Sequence, residues 1–265
     1  MVKTDPGPEF WELVRVHTGE VYGVRHTEHG SRADVTALVR GESESVFVKA
    51  VRTARGQGHV DSIEREAAIN AYVPAPKLLW VLREGGWIVL GFEAVDGRES
   101  SFDPDSTDLP AIVSVIDRVA SAEVPTLAQE WAETRWDRFC DGTDHTLLRG
   151  TALVHGDINP NNFLMAADGT ATLVDWAWPT VGAAFLTSAG LVSQLIASGH
   201  SAEGAEAWAA GCSSWTGADP KAIDVYATAT VRMWRSLANN NPDAGWIRAM
   251  VTASEAWTTH RGVYA

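Results

Sequence analysis

The sequence predicts a mixed α+β chain in two lobes, a smaller strand-rich lobe followed by a larger helical one. Short β-rich runs separated by turn residues fill the first ninety-odd positions, whereas Ala, Leu, Ile and Trp recur at helical spacing over residues 107–140 and 182–261. The charge changes at the same place. Residues 1–94 carry 13 acidic and 11 basic side chains, and residues 95–265 carry 21 and 10. We therefore expect an N-terminal lobe over residues 1–94, a C-terminal lobe over residues 95–265 and a hinge within residues 91–97.

The composition excludes several classes of protein. The 265 residues include 45% hydrophobic and 21% charged side chains, as in an ordinary globular protein. A net charge of −13 argues against a nucleic-acid partner, because surfaces that bind nucleic acid are basic. The first residues contain no apolar signal segment, and no apolar run approaches the roughly 18 residues of a membrane span. We expect a cytoplasmic chain without a membrane partner, and its two cysteines are too few for a disulfide framework.

The N-terminal lobe should contain an antiparallel sheet and one helix. Four β-rich runs are bounded by turn residues, at positions 33–39, 45–51, 78–81 and 87–90. A helix is expected from Asp61 to about Tyr72, because Asp61 with Glu64 three residues later has the pattern of a capping box. Pro74 should end this helix.

The most informative segment is residues 153–165, where the polar cluster HGDINPNN lies between two apolar runs. Asp175 ends another apolar run thirteen residues after Asn162, and residues 167–170 between them suit a hairpin turn. We expect this hairpin to bring Asp157, Asn162 and Asp175 to one small volume. Convergent oxygen ligands of this kind suit Mg²⁺.

His155, Gly156 and Asp157, with Asn162, resemble the catalytic-loop signature of the aminoglycoside phosphotransferases and related small-molecule kinases. These enzymes share the protein-kinase fold but have HGD where protein kinases have HRD. Asp175 falls at the position of the metal-binding Asp of the kinase DFG motif. The resemblance implies a bilobal fold, Asp157 as the base or orienting group for an acceptor hydroxyl, and Asn162 and Asp175 as Mg²⁺ ligands. His155 would stabilise the loop without touching substrate.

The resemblance also implies a lysine–glutamate pair at the nucleotide phosphates. Lys49 lies on the second predicted strand, and period-two alternation places it on the same face as Phe47. Glu64 and Glu66 both lie in the helix that follows. The sequence around Glu66 resembles the family pattern better, so Glu66 is the predicted partner.

Two further nucleotide-binding elements are implied by position in the chain. Gly30 and Ser31 lie where the family has a turn over the phosphates, although only one glycine is present there. Phe92 and Ala94 lie in the linker that would bind adenine through main-chain groups. After Asp175 the sequence departs from Phe-Gly, and the acidic brace of the catalytic loop that the family often has some ten residues later is missing.

The sequence therefore predicts an enzyme that transfers the γ-phosphoryl group of ATP to a hydroxyl of a small molecule, with Mg²⁺ as cofactor. The acidic C-terminal lobe favours a cationic acceptor, such as an aminoglycoside or another cationic antibiotic or metabolite. Because the HGD glycine replaces the arginine that senses activation-loop phosphate, we expect activity without phosphorylation. One alternative is a catalytically weak nucleotide-binding pseudokinase, which the short phosphate loop favours. Another is a metal-dependent hydrolase using His155, Asp157 and Asp175, which leaves Lys49 without a role.

Overall fold

The computed structural model describes residues 6–27, 33–42 and 44–265. These residues form two compact units. The first comprises the described residues up to Gly97 together with Val174–Trp178, and the second comprises Arg98–Leu173 and Pro179–Ala265. The first unit therefore extends past residue 94 and includes a five-residue segment from far along the chain.

The first unit is built on an antiparallel sheet of five strands. In chain order its elements are α1 (Pro8–Thr18), β1 (Gly23–His26), β2 (Val35–Arg40), β3 (Ser45–Arg52), α2 (Gln57–Ile69), β4 (Leu78–Glu84) and β5 (Trp87–Glu93). The strand order is β1-β2-β3-β5-β4, with β3 at the centre. Alternating apolar side chains of β2, β3 and β5 supply two separate cores, one including Phe10 and Val14 of α1 and the other including Ile63 of α2. The central strand is therefore buried on both faces, which is where Lys49 lies.

Two local predictions for this unit differ from the structure. The helix α2 begins at Gln57, four residues before the predicted cap, and Gly56 with a φ of 117° precedes it. The Asp61 side chain accepts a hydrogen bond from Gln57 Nε2 at 2.7 Å, so the predicted capping box does not form. The helix α1 was not predicted from the sequence, although the four-residue spacing of Phe10 and Val14 is the signal of its buried face.

The second unit is mainly helical. Its elements are β6 (Gly97–Glu99), α3 (Leu109–Ala120), β7 (Ala152–Val154), β8 (Phe163–Ala166), β9 (Ala171–Leu173), β10 (Thr180–Gly182), α4 (Leu186–Ala197), α5 (Ala202–Ala209), α6 (Ser213–Thr216), α7 (Pro220–Asn240) and α8 (Gly245–His260). Small sheets of order β6-β8-β9 and β10-β7 carry the segment around the HGD motif. Of the predicted helical block 107–140 only α3 forms, because Pro125 and short 3₁₀ turns interrupt the rest.

This mixed architecture, with a five-stranded antiparallel sheet in one unit and helices dominating the other, is the predicted α+β class. Within the described ranges, no helix combines the length and the apolar character needed to cross a membrane.

Candidate functional site

The hairpin predicted between Asn162 and Asp175 is present. Strands β8 and β9 pair antiparallel with Phe163 opposite Leu173, and the Gly169 N–H donates to the Ala166 carbonyl at 3.0 Å in the turn. Asn162 closes a short 3₁₀ turn directly before β8. The hairpin therefore fixes where the HGD loop ends.

The HGD loop is held by its own polar groups. The backbone N–H of Asp157 donates to Nδ1 of the buried His155 at 3.3 Å. Asn162 Nδ2 donates to the Asp157 carbonyl at 2.8 Å and to its carboxylate Oδ2 at 3.2 Å. Asn159 Nδ2 donates to the other carboxylate oxygen at 3.2 Å. Two amides thus orient the Asp157 carboxylate, which remains exposed to solvent. The buried His155 stabilises the loop by accepting the Asp157 N–H.

The first unit brings three predicted residues together although they are far apart in sequence. Lys49 Nζ lies 2.6 Å from Glu66 Oε2 and 2.6 Å from Asp175 Oδ1, and Lys49 and Asp175 are 126 residues apart. The Lys49 and Glu66 side chains are only 7% and 6% exposed, whereas the Asp175 side chain is 29% exposed. Glu64, the alternative partner, pairs with Arg83 instead. The lysine is therefore a buried cation between two carboxylates, one of which reaches solvent.

The pKa values of this cluster follow from burial and charge. Burial alone would lower the pKa of Lys49, but the carboxylates of Asp175 and Glu66 outweigh it and raise that pKa, so the ammonium stays charged. Burial raises the pKa of Glu66, and Lys49 partly offsets this increase. Removing Lys49 would leave a buried carboxylate without its cation.

Asp175 has a backbone conformation that points to function. Its φ is +60°, and no other non-glycine residue among those described has a positive φ. A left-handed conformation of this kind costs of order 1 kcal/mol or more in a residue with a Cβ, and it persists only where the surroundings enforce it.

One face of α2 supplies that enforcement. Ser62 Oγ donates to the Ala177 carbonyl at 2.8 Å, and the Glu66 carboxylate accepts a hydrogen bond from the Trp176 N–H. The Arg65 guanidinium lies 4.5 Å from the centre of the Trp178 ring. Positions 62, 65 and 66 are neighbours on a helix surface, so α2 holds three successive residues after Asp175. Ser62 and Arg65 were missed from the sequence, because their spacing becomes meaningful only once the 174–178 segment is seen to pack on α2.

We expect Ser62→Ala to lower the free energy of unfolding by about 1–3 kcal/mol, because a buried carbonyl loses its hydrogen-bond donor. The sequence predicts that Asp175 binds the magnesium of a nucleotide, and on that prediction the variant should also bind magnesium ADP more weakly, because the strained conformation of Asp175 is held less firmly. Urea denaturation and calorimetric titration measure the two effects. Ser45→Ala, an exposed serine of the same unit, is the control and should change neither. Unchanged nucleotide binding in Ser62→Ala would contradict the positioning of Asp175 by α2.

The remaining predicted residues differ in what the structure says of them. Gly30 and Ser31 lie outside the described residues. Phe92 lies within β5 between Phe47 of β3 and Leu78 of β4, so its main-chain groups face neighbouring strands. Ala94 follows the end of β5, and within the described chain no hydrogen bond engages its backbone. Main-chain recognition of a base is thus compatible with Ala94, whereas Phe92 is paired within the sheet and its ring is buried in the apolar core.

The donor set fits a hard cation bound with water and phosphate. In the described ranges no three His, Cys, Asp or Glu side chains are grouped so as to hold a metal ion by themselves. Asn162 uses its amide nitrogen on Asp157, and no donor among the described residues reaches its Oδ1. Taken separately, the partly exposed carboxylate of Asp175 and the amide oxygen of Asn162 are each of a ligand type that Mg²⁺ accepts.

Comparison with known proteins gives the fold. The sequence matches no family model and no curated protein. The choline kinase LicA from Streptococcus pneumoniae is similar in structure, with a TM-score of 0.65 at 13% identity, covering 97% of this chain and 100% of its own. A spectinomycin phosphotransferase in complex with ADP and spectinomycin gives 0.67 at 13% identity, with 97% and 100% covered. An aminoglycoside phosphotransferase from Alicyclobacillus acidocaldarius gives 0.65 at 11% identity, with 98% and 96% covered.

These similarities confirm the predicted class of fold, which is the protein-kinase-like fold of small-molecule phosphotransferases. More narrowly, the chain has the fold shared by the aminoglycoside phosphotransferases and choline kinase. At these identities the likeness establishes the fold and not the reaction.

Proposed function

We propose that the protein is a small-molecule kinase that transfers the γ-phosphoryl group of ATP to a hydroxyl of its acceptor. The observation that carries this proposal is the buried Lys49, ion-paired with both Glu66 and Asp175. Charged groups are seldom buried unless each has a partner, and here a lysine and two carboxylates from separate parts of the chain are held together. Phosphate binding would explain this arrangement. The Lys49 ammonium, fixed by the buried Glu66, can contact phosphate oxygens beside Asp175, the proposed metal ligand.

Each residue then has one task. Lys49, held by Glu66, orients the phosphates of ATP, and Ala94 contacts the base through its main chain. Gly30 and Ser31 are proposed to cover the phosphates. Bound at Asp175 and Asn162, Mg²⁺ would neutralise charge on those phosphates.

Asp157 orients the attacking hydroxyl and accepts its proton. Its exposed carboxylate, held by the two amides of Asn159 and Asn162, is suited to this task because its direction is fixed before an acceptor arrives. Positioning and charge neutralisation supply most of the catalysis in phosphoryl transfer.

The acceptor is proposed to be a cation. The second unit carries 19 acidic and 10 basic side chains, and its ion pairs are neutral, so the negative excess remains. A field of this sign attracts amino sugars, choline-like molecules and other cations. Spectinomycin, which is bound in one structural neighbour, and the aminoglycosides and choline after which the other two are named belong to the same chemical class.

Acceptor-dependent ADP release tests the proposal. The full chain with magnesium ATP should release ADP faster when a cationic alcohol from a panel of aminoglycosides, spectinomycin and choline is added. A phosphorylated product of matching mass should appear. Neutral sugars of similar size are the control panel for the charge argument. Tight ATP binding without turnover on any member of either panel would instead support the nucleotide-binding pseudokinase and overturn the proposal.

A further inference from the structure

Gly156 of the HGD motif lies directly against the guanidinium of Arg135. Its φ is +72°, and a Cβ built at this position would overlap Nη1, Nη2 and Cζ of that arginine. Two independent features therefore require glycine here, a left-handed backbone and the lack of room for a methyl group. Arg135 precedes Gly156 by 21 residues and was not singled out from the sequence.

Hydrogen bonds to Glu133 and Thr180 fix the Arg135 side chain. Its Nε donates to both carboxylate oxygens of Glu133 at 2.9 Å, and Nη2 donates to Glu133 and, at 2.9 Å, to Thr180 Oγ1. The backbone N–H of Arg135 also donates to Glu133 Oε1 at 2.8 Å. Glu133 is 1% exposed. The guanidinium is consequently held by hydrogen bonds from Nε and Nη2, and its planar group lies against Gly156, because Nη1, Nη2 and Cζ are about equally close to a Cβ built there.

The support beneath this pair is continuous with the sheet that carries the HGD loop. The Glu133 N–H donates to the Val181 carbonyl at 2.8 Å, and β10 pairs antiparallel with β7, the strand that leads into His155. Arg149 Nη1 donates to the Glu133 carbonyl at 2.6 Å. Both ends of the contact, Arg135 and Gly156, are thus tied to the same small sheet.

We propose that Arg135 is a positioning residue that sets the place of Asp157 by bearing on Gly156. This inference rests on the proposed role of Asp157. A buried ion pair between Glu133 and Arg135 adds little net stability, because desolvation offsets its attraction. The Arg135 guanidinium is rigid and planar and is held by several hydrogen bonds, so it presents a fixed flat surface to Gly156. A lysine at the same position would not present such a surface.

A double-mutant cycle with Gly156→Ala and Arg135→Lys tests this coupling. Arg135→Lys keeps a cation for Glu133 and removes the planar surface, and Gly156→Ala inserts the methyl group. We expect Gly156→Ala alone to lower kcat about 100-fold, the usual consequence of a displacement near 1 Å in a catalytic group. In the Arg135→Lys background, Gly156→Ala should lower kcat by less than about tenfold, because the flexible lysine side chain can move away from the added methyl group. The KM for magnesium ATP should stay within about twofold in all variants.

The amide signals of Gly156 and Asp157 in a proton–nitrogen correlation spectrum give a readout that does not need turnover. They should shift in Arg135→Lys and remain in place in the control Arg138→Gln, which removes an exposed arginine three residues away. If Gly156→Ala lowers kcat by the same factor in both backgrounds, or if the two amide signals do not shift in Arg135→Lys, the proposed coupling is wrong. Shifted amides in a protein with no turnover on any acceptor would instead contradict the proposed function and leave the contact standing.

Discussion

Asp157→Ala should reduce acceptor-dependent turnover by about 10³-fold or more, because a base that orients and deprotonates the nucleophile contributes roughly 10²–10⁴-fold. The affinity for magnesium ADP should remain within severalfold, since the role proposed for Asp157 is at the acceptor hydroxyl and not at the nucleotide. Little stability should be lost, because the carboxylate is exposed and Asn162 keeps its hydrogen bond to the Asp157 carbonyl.

Asp168→Ala is the matched control for this prediction. Asp168 is an exposed aspartate in the turn between β8 and β9, where it accepts from the Thr170 N–H at 2.9 Å. Its removal should leave kcat unchanged. Steady-state kinetics and ADP titration of both variants give the comparison. If nucleotide binding disappears with turnover in a folded Asp157→Ala protein, the role assigned to Asp157 is wrong.

Lys49→Met should have the largest combined effect. Turnover should fall by about 10²-fold or more, because the charge that we propose to stabilise the transferring phosphate is removed. The free energy of unfolding should fall by about 3–5 kcal/mol, because Glu66 and Asp175 lose a cation they share in a buried site. Lys77→Met removes an exposed lysine of the same unit and should change neither quantity.

The stability deficit of Lys49→Met should depend on pH in a definite direction. Burial already raises the pKa of Glu66 above its ordinary value, and loss of Lys49 removes the interaction that opposes that increase. A carboxyl with a raised folded-state pKa is stabilised by protonation, so its cost is absent at acid pH and grows as pH rises through that pKa. Urea denaturation should therefore show a deficit that is smaller near about pH 5.5 than near about pH 8. A deficit constant over this range would contradict an uncompensated Glu66.

Much of the first unit could be predicted from local sequence. Period-two alternation gave β3 and placed Lys49, and turn residues separated β4 from β5. The choice of Glu66 over Glu64 depended on the resemblance, and the structure places Glu66 beside Lys49 and Glu64 beside Arg83. The hairpin between Asn162 and Asp175 followed from its Asp-Gly turn.

What could not be predicted depends on contacts between distant residues. Nothing local distinguishes Ser62 as the residue that holds Ala177, because its partner lies 115 positions later. The same holds for Arg135, whose proposed role comes from its packing on Gly156. The helical block 107–140 was predicted from composition, and composition does not register the turns that interrupt it after α3.

The first compact unit contains Val174–Trp178, and this has a consequence for synthesis. A ribosome that has released residue 97 has supplied every strand of the large sheet, yet the buried lysine still lacks one of its two anionic neighbours. At about 5–20 residues per second, several seconds pass before Asp175 emerges. The nascent lobe must therefore wait, incompletely neutralised, until roughly two-thirds of the polypeptide has been translated. The first unit is therefore completed only after the second unit's residues up to Leu173 have been synthesised, even though its own sequence begins near the N-terminus.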